Sequence, residues 1–371
     1  MFLKIRPFFY FLLFPLFFFG REGITYTHLN YPDHSYSGYL SGPHSVHILE
    51  IDASLYNLVP YKSCDNGIGR ETVLSLAKRK EAVAGINAGF FQIGGVLDGR
   101  ACGSLKIKDW IALPFKPRGC MGWSFSKNQM VFDTLLVKLT ATSLGESFSV
   151  DGLNRSRKKG EAILFNDSFH STTLTGPDGI EFIIEEGQIT SLHLGGSAPI
   201  PKKGFVLSLQ EEHPFVNSFR AGDEITFQYE IEPQLGLTSP EEWENLDFII
   251  NGTPLLLHEG RKIVDFSSEK TIPTFLSRRH ARTAIGILPN GNYLFVVVDK
   301  KSLLDGMTMK ELQNLFVYLN CDMALNLDGG GSSTLVLENE ILNTPRGDEE
   351  EDQGKKAVRR VSDAILVFPK S

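Results

Sequence analysis

The stretch ALNLDGGGSSTLV, residues Ala324 to Val336, decides how the rest of the chain is read. An apolar, strand-like run ends in an acid, three glycines and two serines. Glycine loses more backbone freedom on folding than any other residue, so three in succession are a costly way to make an ordinary turn. The run must reverse sharply or let something approach the backbone closely. Two readings stay open. Successive amide N–H groups form a concave nest for an anion, with Ser332 and Ser333 adding hydroxyls; or the segment is a tight turn in which Asp328 makes a local side-chain bond. A phosphate-binding P-loop is excluded, because no G-x-x-x-x-G-K-[ST] occurs.

Upstream lies GMTMKELQNLFVYLN. Thr308 and Glu311 have capping-box spacing, and Met309, Leu312, Phe316 and Leu319 fall on one helical face. The helix is expected to end near Asn320, with a strand from Ala324 to Leu327. The same order occurs earlier. RETVLSLAKRKEA reads as a helix with Val73, Leu74 and Ala77 on one side, followed by the short strand AVAGIN and then Ala88-Gly89. Both units end at a polar residue plus glycine, and strand mouths are where ligands sit in such architectures.

Residues 120 to 232 are β-rich, with turn signals at Gly-Pro-Asp-Gly and Glu-Glu-Gly-Gln. RTAIGILPNGNYLFVVVDK predicts a hairpin around Pro289-Asn290-Gly291-Asn292. RGDEEEDQGKKAVRR reads as a solvated charge run before a last strand, VSDAILVF. The fold expected is α+β: a mixed β-sheet core with a few covering helices and a β-rich middle region, in a single large domain. Distant motifs must converge to make one site, so separable domains would be awkward.

The chain has 371 residues, 42% hydrophobic and 22% charged, which suits a large folded core. A net charge of -7 argues against a nucleic-acid binder. The N-terminus MFLKIRPFFYFLLFPLFFFG places Lys4 and Arg6 before an apolar run, the pattern of a secretory signal or an N-terminal anchor over residues 1–20. Export to the envelope, periplasm or medium is therefore expected, with residues 21–45 as a linker or edge segment and the domain at 46–371. Cys64, Cys102, Cys120 and Cys321 contain no CxxC pair, so no metal site is expected; Cys102 and Cys120 either pair or remain buried thiols.

Further candidates lie elsewhere. In SRRHARTAIG, Arg278 and Arg279 read as a basic edge, whereas Arg282 opens an apolar strand and leans toward binding phosphate through its fork. Asn87 in INAGFF and Asn251 in INGTPLL offer a donor and an acceptor each, suited to sugar hydroxyls. Phe90 and Phe91 read as core, and Asp299, Glu259 and Asp98 as turn acids. No GxSxG or HExxH signature is present.

Taken together, AVAGINAGFF, APIPKKGFVLSL with RAGDEITF, INGTPLLLHEG, HARTAIG and the glycine block resemble the phosphodiester glycosidase family over roughly residues 80 to 368. Ala281 replaces a common proline, and Thr253-Pro254 replaces a common Gly-Pro. Asp299-Lys300-Lys301 stands where acid-glycine-arginine is usual, which weakens a binding role for that loop. The resemblance implies hydrolysis of a sugar-1-phosphodiester to free sugar and a phosphate monoester, without a cofactor. The substrate so implied is a glycan, glycolipid or envelope polymer. The alternatives are a phosphodiesterase attacking phosphorus and a non-catalytic polysaccharide-binding module.

Phosphate leaves readily, so charge stabilisation outweighs general acid strength. Asp328 and Arg282 are accordingly the catalytic candidates. Asn87, Gly89, Asn251, Thr283, Gly329, Gly330, Gly331 and Ser332 are the substrate-binding ones. Asn87, Arg282, Asp328, Gly330 and Ser332 are expected to line one pocket. A carboxylate beside bound phosphate suffers like-charge repulsion, which leaves the role of Asp328 open.

Overall fold

The computed structural model describes residues 21–31, 44–125, 130–302, 304–347, 351–352, 355–356 and 358–370. The expected signal or anchor at 1–20 lies outside them, as do residues 32–43 of the expected linker. Among the described residues, no helix is long and apolar enough to cross a membrane.

The strand Tyr293–Val298 shows how the fold is assembled. Its apolar side chains alternate between two buried faces: Leu294, Val296 and Val298 lie under a helix, while Phe295 and Val297 face the centre of the molecule. The expected hairpin joins it to Arg282–Ile287, with Gly291 at φ 88° in the turn. His44–Ile51 and Met323–Asn326 flank that hairpin, and Ile24–Tyr31 forms the sheet's edge. The helix Met309–Tyr318 covers the outer face, burying Met309, Leu312, Leu315 and Phe316. Its capping box is formed: Thr308 Oγ1 accepts from the Glu311 amide at 3.2 Å, and Glu311 accepts from the Thr308 amide at 2.9 Å. Asn320 at φ 58° then ends it.

A second sheet contains Tyr56–Lys62, Asp363–Pro369, Ala84–Asn87, Leu335–Leu337 and Glu340–Ile341. The short helix Val73–Arg79 covers it, capped by Thr72 and burying Val73, Leu76 and Ala77. A third sheet includes Met130–Ser143, Arg118–Trp123 and Phe248–Asn251. Its outer face is closed by a fourth, built from the β-rich middle region, across a core that includes Leu139, Phe182, Leu207 and Trp243.

The inner faces of the first three sheets meet in one core. Ile285, Phe295 and Leu325 come from the first, Ile86 and Ile365 from the second, and Phe132 and Ile250 from the third. Truncating a fully buried phenylalanine such as Phe295 to alanine costs about 3–5 kcal/mol. Pairing is antiparallel throughout the named strands except Gly152–Leu153 against Ile163 and Leu164, which makes the fourth sheet mixed. The α+β expectation, with few covering helices and one domain, stands.

Candidate active site

Three strands, one from each of the central sheets, end in an asparagine at a common rim: Ala84–Asn87, Phe248–Asn251 and Met323–Asn326. Asn87 is the hub. Its Nδ2 donates to the Asp328 carbonyl at 2.7 Å, and its Oδ1 accepts from Thr283 Oγ1 at 2.9 Å and the Thr334 amide at 3.1 Å. Buried Asn87 and Thr283 therefore lock the glycine segment to the first sheet. Asn251 lies against the Ala88–Gly89 turn: a Cβ added at Gly89 would come within 3.0 Å of Asn251 Oδ1 and 3.2 Å of Asp363 Oδ1.

The glycine segment is a turn bonded to itself and its neighbours. The Asp328 amide donates to Ala88 O, the Gly329 amide to Asp328 Oδ1, the Gly330 amide to Ala281 O and the Ser332 amide to Gly329 O. This corrects the expectation of an open anion nest: of Gly329, Gly330, Gly331 and Ser332, only the Gly331 amide lacks a hydrogen-bond partner among the described residues. The glycines serve other needs. Gly330 sits at φ 64°, where side chains are strained, and the space beyond it is open. At Gly331 a Cβ would lie 2.4 Å from Arg359 Cζ, so the missing side chain makes room for a guanidinium.

Two acids bracket the Ala88–Gly89 peptide. The Asp328 amide donates to Ala88 O at 2.9 Å, and Asp363 Oδ1 accepts from the Gly89 amide at 2.7 Å. Burial pushes the Asp328 carboxyl up to about 6, helped by the neighbouring Asp363; Ser332, Arg359 and the Gly329 amide pull the other way. Among the described residues, Asp363 Oδ2 is buried with no hydrogen-bond partner, and so are Ser333 Oγ, Thr334 Oγ1, Asn251 Nδ2 and Asn326 Oδ1. An unpaired buried polar atom costs about 1–3 kcal/mol, and native folds contain few. Their concentration at this rim leaves hydrogen-bonding capacity of the kind that polyhydroxyl or anionic groups satisfy.

Asp363, Arg359 and Asn326 were absent from the sequence-based candidates. Asp363 sat inside VSDAILVF, a plain strand pattern, and Arg359 inside a charge run read as solvated. The recurrent strand-end asparagine, in INA, ING and LNL, was the available signal for Asn326.

Arg282 is where the expectation needs a second correction. Strand alternation puts it with Ala284 on the helix-covered face and Thr283 with Ile285 on the central one. Its Nε donates to Met307 O at 2.8 Å and its Nη2 to Phe275 O at 3.0 Å and Arg278 O at 2.9 Å. Burial lowers its pKa to about 10 against the pull of Glu311. The fork is thus engaged on backbone carbonyls, and Arg282 reaches the rim only through Phe275, which stacks under it and meets Phe90 edge-on at 6.1 Å.

Asp299 is a buried network acid, not a turn acid. It accepts from His47 Nε2 or shares its proton at 3.1 Å, and accepts from Asn343 Nδ2 at 3.0 Å and the Thr344 amide at 2.9 Å. Asn343 in turn donates to Ser333 O at 3.0 Å, so this network braces the end of the glycine segment. All four cysteines are free thiols, which decides between the two readings of Cys102 and Cys120. Among the described residues, no group of three His, Cys, Asp or Glu side chains is placed to hold a metal ion. A cavity of about 450 Å³ lies at the opposite end of the strands, between Asn57, Trp123, Tyr293 and Asp322. Among the described residues, it holds no comparable cluster of buried, unpartnered polar atoms.

The chain is similar to several known proteins. An uncharacterized protein of Rickettsia conorii is 28% identical over 237 residues, covering 60% of this chain and 77% of the other. The N-acetylglucosamine-1-phosphodiester alpha-N-acetylglucosaminidase of Bos taurus is 32% identical over 128 residues, 32% of this chain and 24% of that protein. A hypothetical protein from Synechocystis shares the fold, with a TM-score of 0.78 and 23% identity over 94% of this chain and 62% of that one. The chain thus spans less than two thirds of the bovine and cyanobacterial proteins. The phosphodiester glycosidase family model matches residues 178–368. That span holds Asn251, the glycine segment, Arg359 and Asp363; Asn87 and Gly89 join the site from outside it. By that match, the chain belongs to the phosphodiester glycosidase family.

Proposed function

We propose that this chain is a hydrolase that cleaves a sugar-1-phosphodiester at the anomeric carbon, releasing free sugar and a phosphate monoester. The observation that carries the reading is the pair of acids, Asp328 and Asp363, bonded to either side of one peptide among unpartnered buried polar atoms. Cleavage at the anomeric carbon passes through an oxocarbenium-like transition state, which a carboxylate stabilises. Asp363, whose Oδ2 has no partner among the described residues, suits that task or the deprotonation of water. The C1–O bond breaks with its electron pair going to phosphate, and the water oxygen bonds to C1.

Asp328 fits the phosphate side. A carboxyl whose pKa is pushed to about 6 can be protonated beside a phosphate and so escapes like-charge repulsion. Arg359, held against Gly331, supplies a cation on the same side. Asn87 orients the loop, while Asn251 and the hydroxyls of Ser332, Ser333 and Thr334 suit sugar or phosphate oxygens. The basic-then-apolar N-terminus supports a location outside the cytoplasm.

Turnover in 18O-water of a panel of sugar-1-phosphodiesters tests the reaction. Label in the released sugar supports the glycosidase. Label in the phosphate overturns it in favour of attack at phosphorus, and glycan binding without turnover of any panel member overturns it in favour of a binding module.

A further inference from the structure

The loop after Gly89 doubles back on itself: the Gln92 amide donates to Arg100 O at 2.9 Å and the Cys102 amide to Phe90 O at 2.8 Å. It returns to the rim at Gly103, where a Cβ would lie 2.2 Å from Asn251 Cγ. Arg100 is 7% exposed, an unusual place for a cation. Its Nη1 donates to Ala101 O at 3.1 Å and its Nη2 to Cys102 Sγ at 3.6 Å, while its Nε is buried with no partner among the described residues. Among those residues no carboxylate forms an ion pair with it. Other buried guanidiniums are engaged: Arg282 spends its fork on three carbonyls, and Arg155 holds both oxygens of Glu161, at 2.6 and 3.0 Å. Arg100 keeps most of its five donors open.

Stacking does not account for this burial. The Phe115 ring is shared, with Arg100 Cζ 5.7 Å and Arg155 Cζ 5.2 Å from its centroid, so two like charges meet on one ring. A third buried cation anchors the preceding residue: Lys62 Nζ donates to Gly99 O at 2.6 Å and otherwise to the neutral oxygens of Ser362. A buried charge without a counter-ion is expensive, and the partner that would offset it is an anion. The contacts along the rim give its place. Arg359 lies against Gly331 at one end, and Asp328 and Asp363 bracket the Ala88–Gly89 peptide in the middle. Asn251, Gly103 and then Cys102 with Arg100 follow at the other end. We propose that Arg100 is an oxyanion-binding residue at the Asn251 end of the rim, taking a carboxylate or phosphate that the ligand carries in addition to the group held beside Arg359. The inference rests on the glycosidase reading only in calling that ligand the substrate. It makes the substrate class a sugar-1-phosphodiester with a second anionic group, matched by a guanidinium fork at each end of the site.

The test is an NMR titration of the full chain with 15N-labelled arginine, using inorganic phosphate in one arm and acetate in the other. The Arg100 Nε–H resonance, identified by its loss in Arg100→Gln, is expected to shift saturably in at least one arm, and the arm that shifts it names the oxyanion. The shift should persist in Arg359→Gln. A resonance unmoved in both arms, or a shift abolished by Arg359→Gln, overturns the proposal. If Arg100→Gln does not fold, Arg100→Lys identifies the resonance. Kinetics give a second readout on two sugar-1-phosphodiesters that differ only in a carboxylate or phosphate on the sugar. Arg100→Gln is expected to lower the kcat/KM ratio of the charged over the uncharged one by about tenfold or more. An equal loss on both overturns the second oxyanion. A saturable shift without turnover leaves the oxyanion site standing and removes the glycosidase; turnover with an unmoved resonance does the reverse.

Discussion

Asp328 and Asp363, 35 positions apart in the chain, are joined through a single peptide: one donates its amide to the Ala88 carbonyl and the other accepts the Gly89 amide on its carboxylate. A third segment of chain thereby sets the spacing of the two acids. Side chains alone do not. Replacing either acid by its amide keeps the size and most of the bonding while removing the charge. Asp328→Asn and Asp363→Asn are each expected to lower kcat/KM on a responsive sugar-1-phosphodiester by about 10²–10⁴-fold. A folded variant at the parent rate removes that residue from the mechanism.

The raised Asp328 carboxyl makes a stability prediction of definite sign. Its folded pKa of about 6 lies above the ordinary 3.8, so its contribution to stability is complete below about pH 4 and is lost as pH rises through 6. Asp328→Asn, neutral at every pH, is therefore expected to be more stable than the parent at pH 7 by about 1–3 kcal/mol. The difference should vanish near pH 4. Urea denaturation at the two pH values measures it.

Asp299 behaves oppositely. Burial pushes its carboxyl up, but hydrogen bonds from His47, Asn343 and Thr344 and the facing His47 ring outweigh it and hold it below the ordinary value. Its stabilisation is present above about pH 4 and disappears as pH falls through the depressed pKa. Asp299→Asn should cost about 1–3 kcal/mol at pH 7 and make the protein less sensitive to acid below pH 4, read from denaturation midpoints.

At the glycine segment, neighbouring positions should differ. Gly331→Ala drives Cβ into the Arg359 guanidinium and is expected to raise KM by about tenfold or more, through loss of a charged hydrogen-bonding group. Gly330→Ala meets nothing and only strains a left-handed residue, at about 1 kcal/mol of stability. Steady-state kinetics and thermal melting separate the two effects.

Arg282→Lys should injure stability before chemistry. Lysine cannot reach the carbonyls of Phe275, Arg278 and Met307 together, and about 2–4 kcal/mol of stability is expected to go. Faster proteolysis within residues 273–280 is the direct readout. A large rise in KM in a variant of unchanged stability would instead return Arg282 to the substrate.

Local rules made much of this legible. The capping box at Thr308 and Glu311, the Asn290-Gly291 turn and the polar strand ends at Asn87 and Asn251 each depend on residues a few positions apart. The side taken by Arg282 was hidden for a physical reason. Its strand is apolar on both faces because both are buried, so alternation carries no sign telling the central face from the helix side. Asp363 was hidden by distance. Its carboxylate meets an amide 274 positions away, and nothing in VSDAILVF shows that register. The nest failed because glycine count does not say where the amides are spent, and here neighbouring carbonyls and Asp328 take most of them.

The strand Asp363–Pro369 lies between Ala84–Asn87 and Tyr56–Lys62 and is paired with both. During synthesis those two strands leave the ribosome hundreds of residues before the one that must separate them. Until it arrives, the second sheet has a gap at its middle and the site lacks one of its acids. The candidate site is therefore incomplete in the nascent chain until the strand Asp363–Pro369 has emerged.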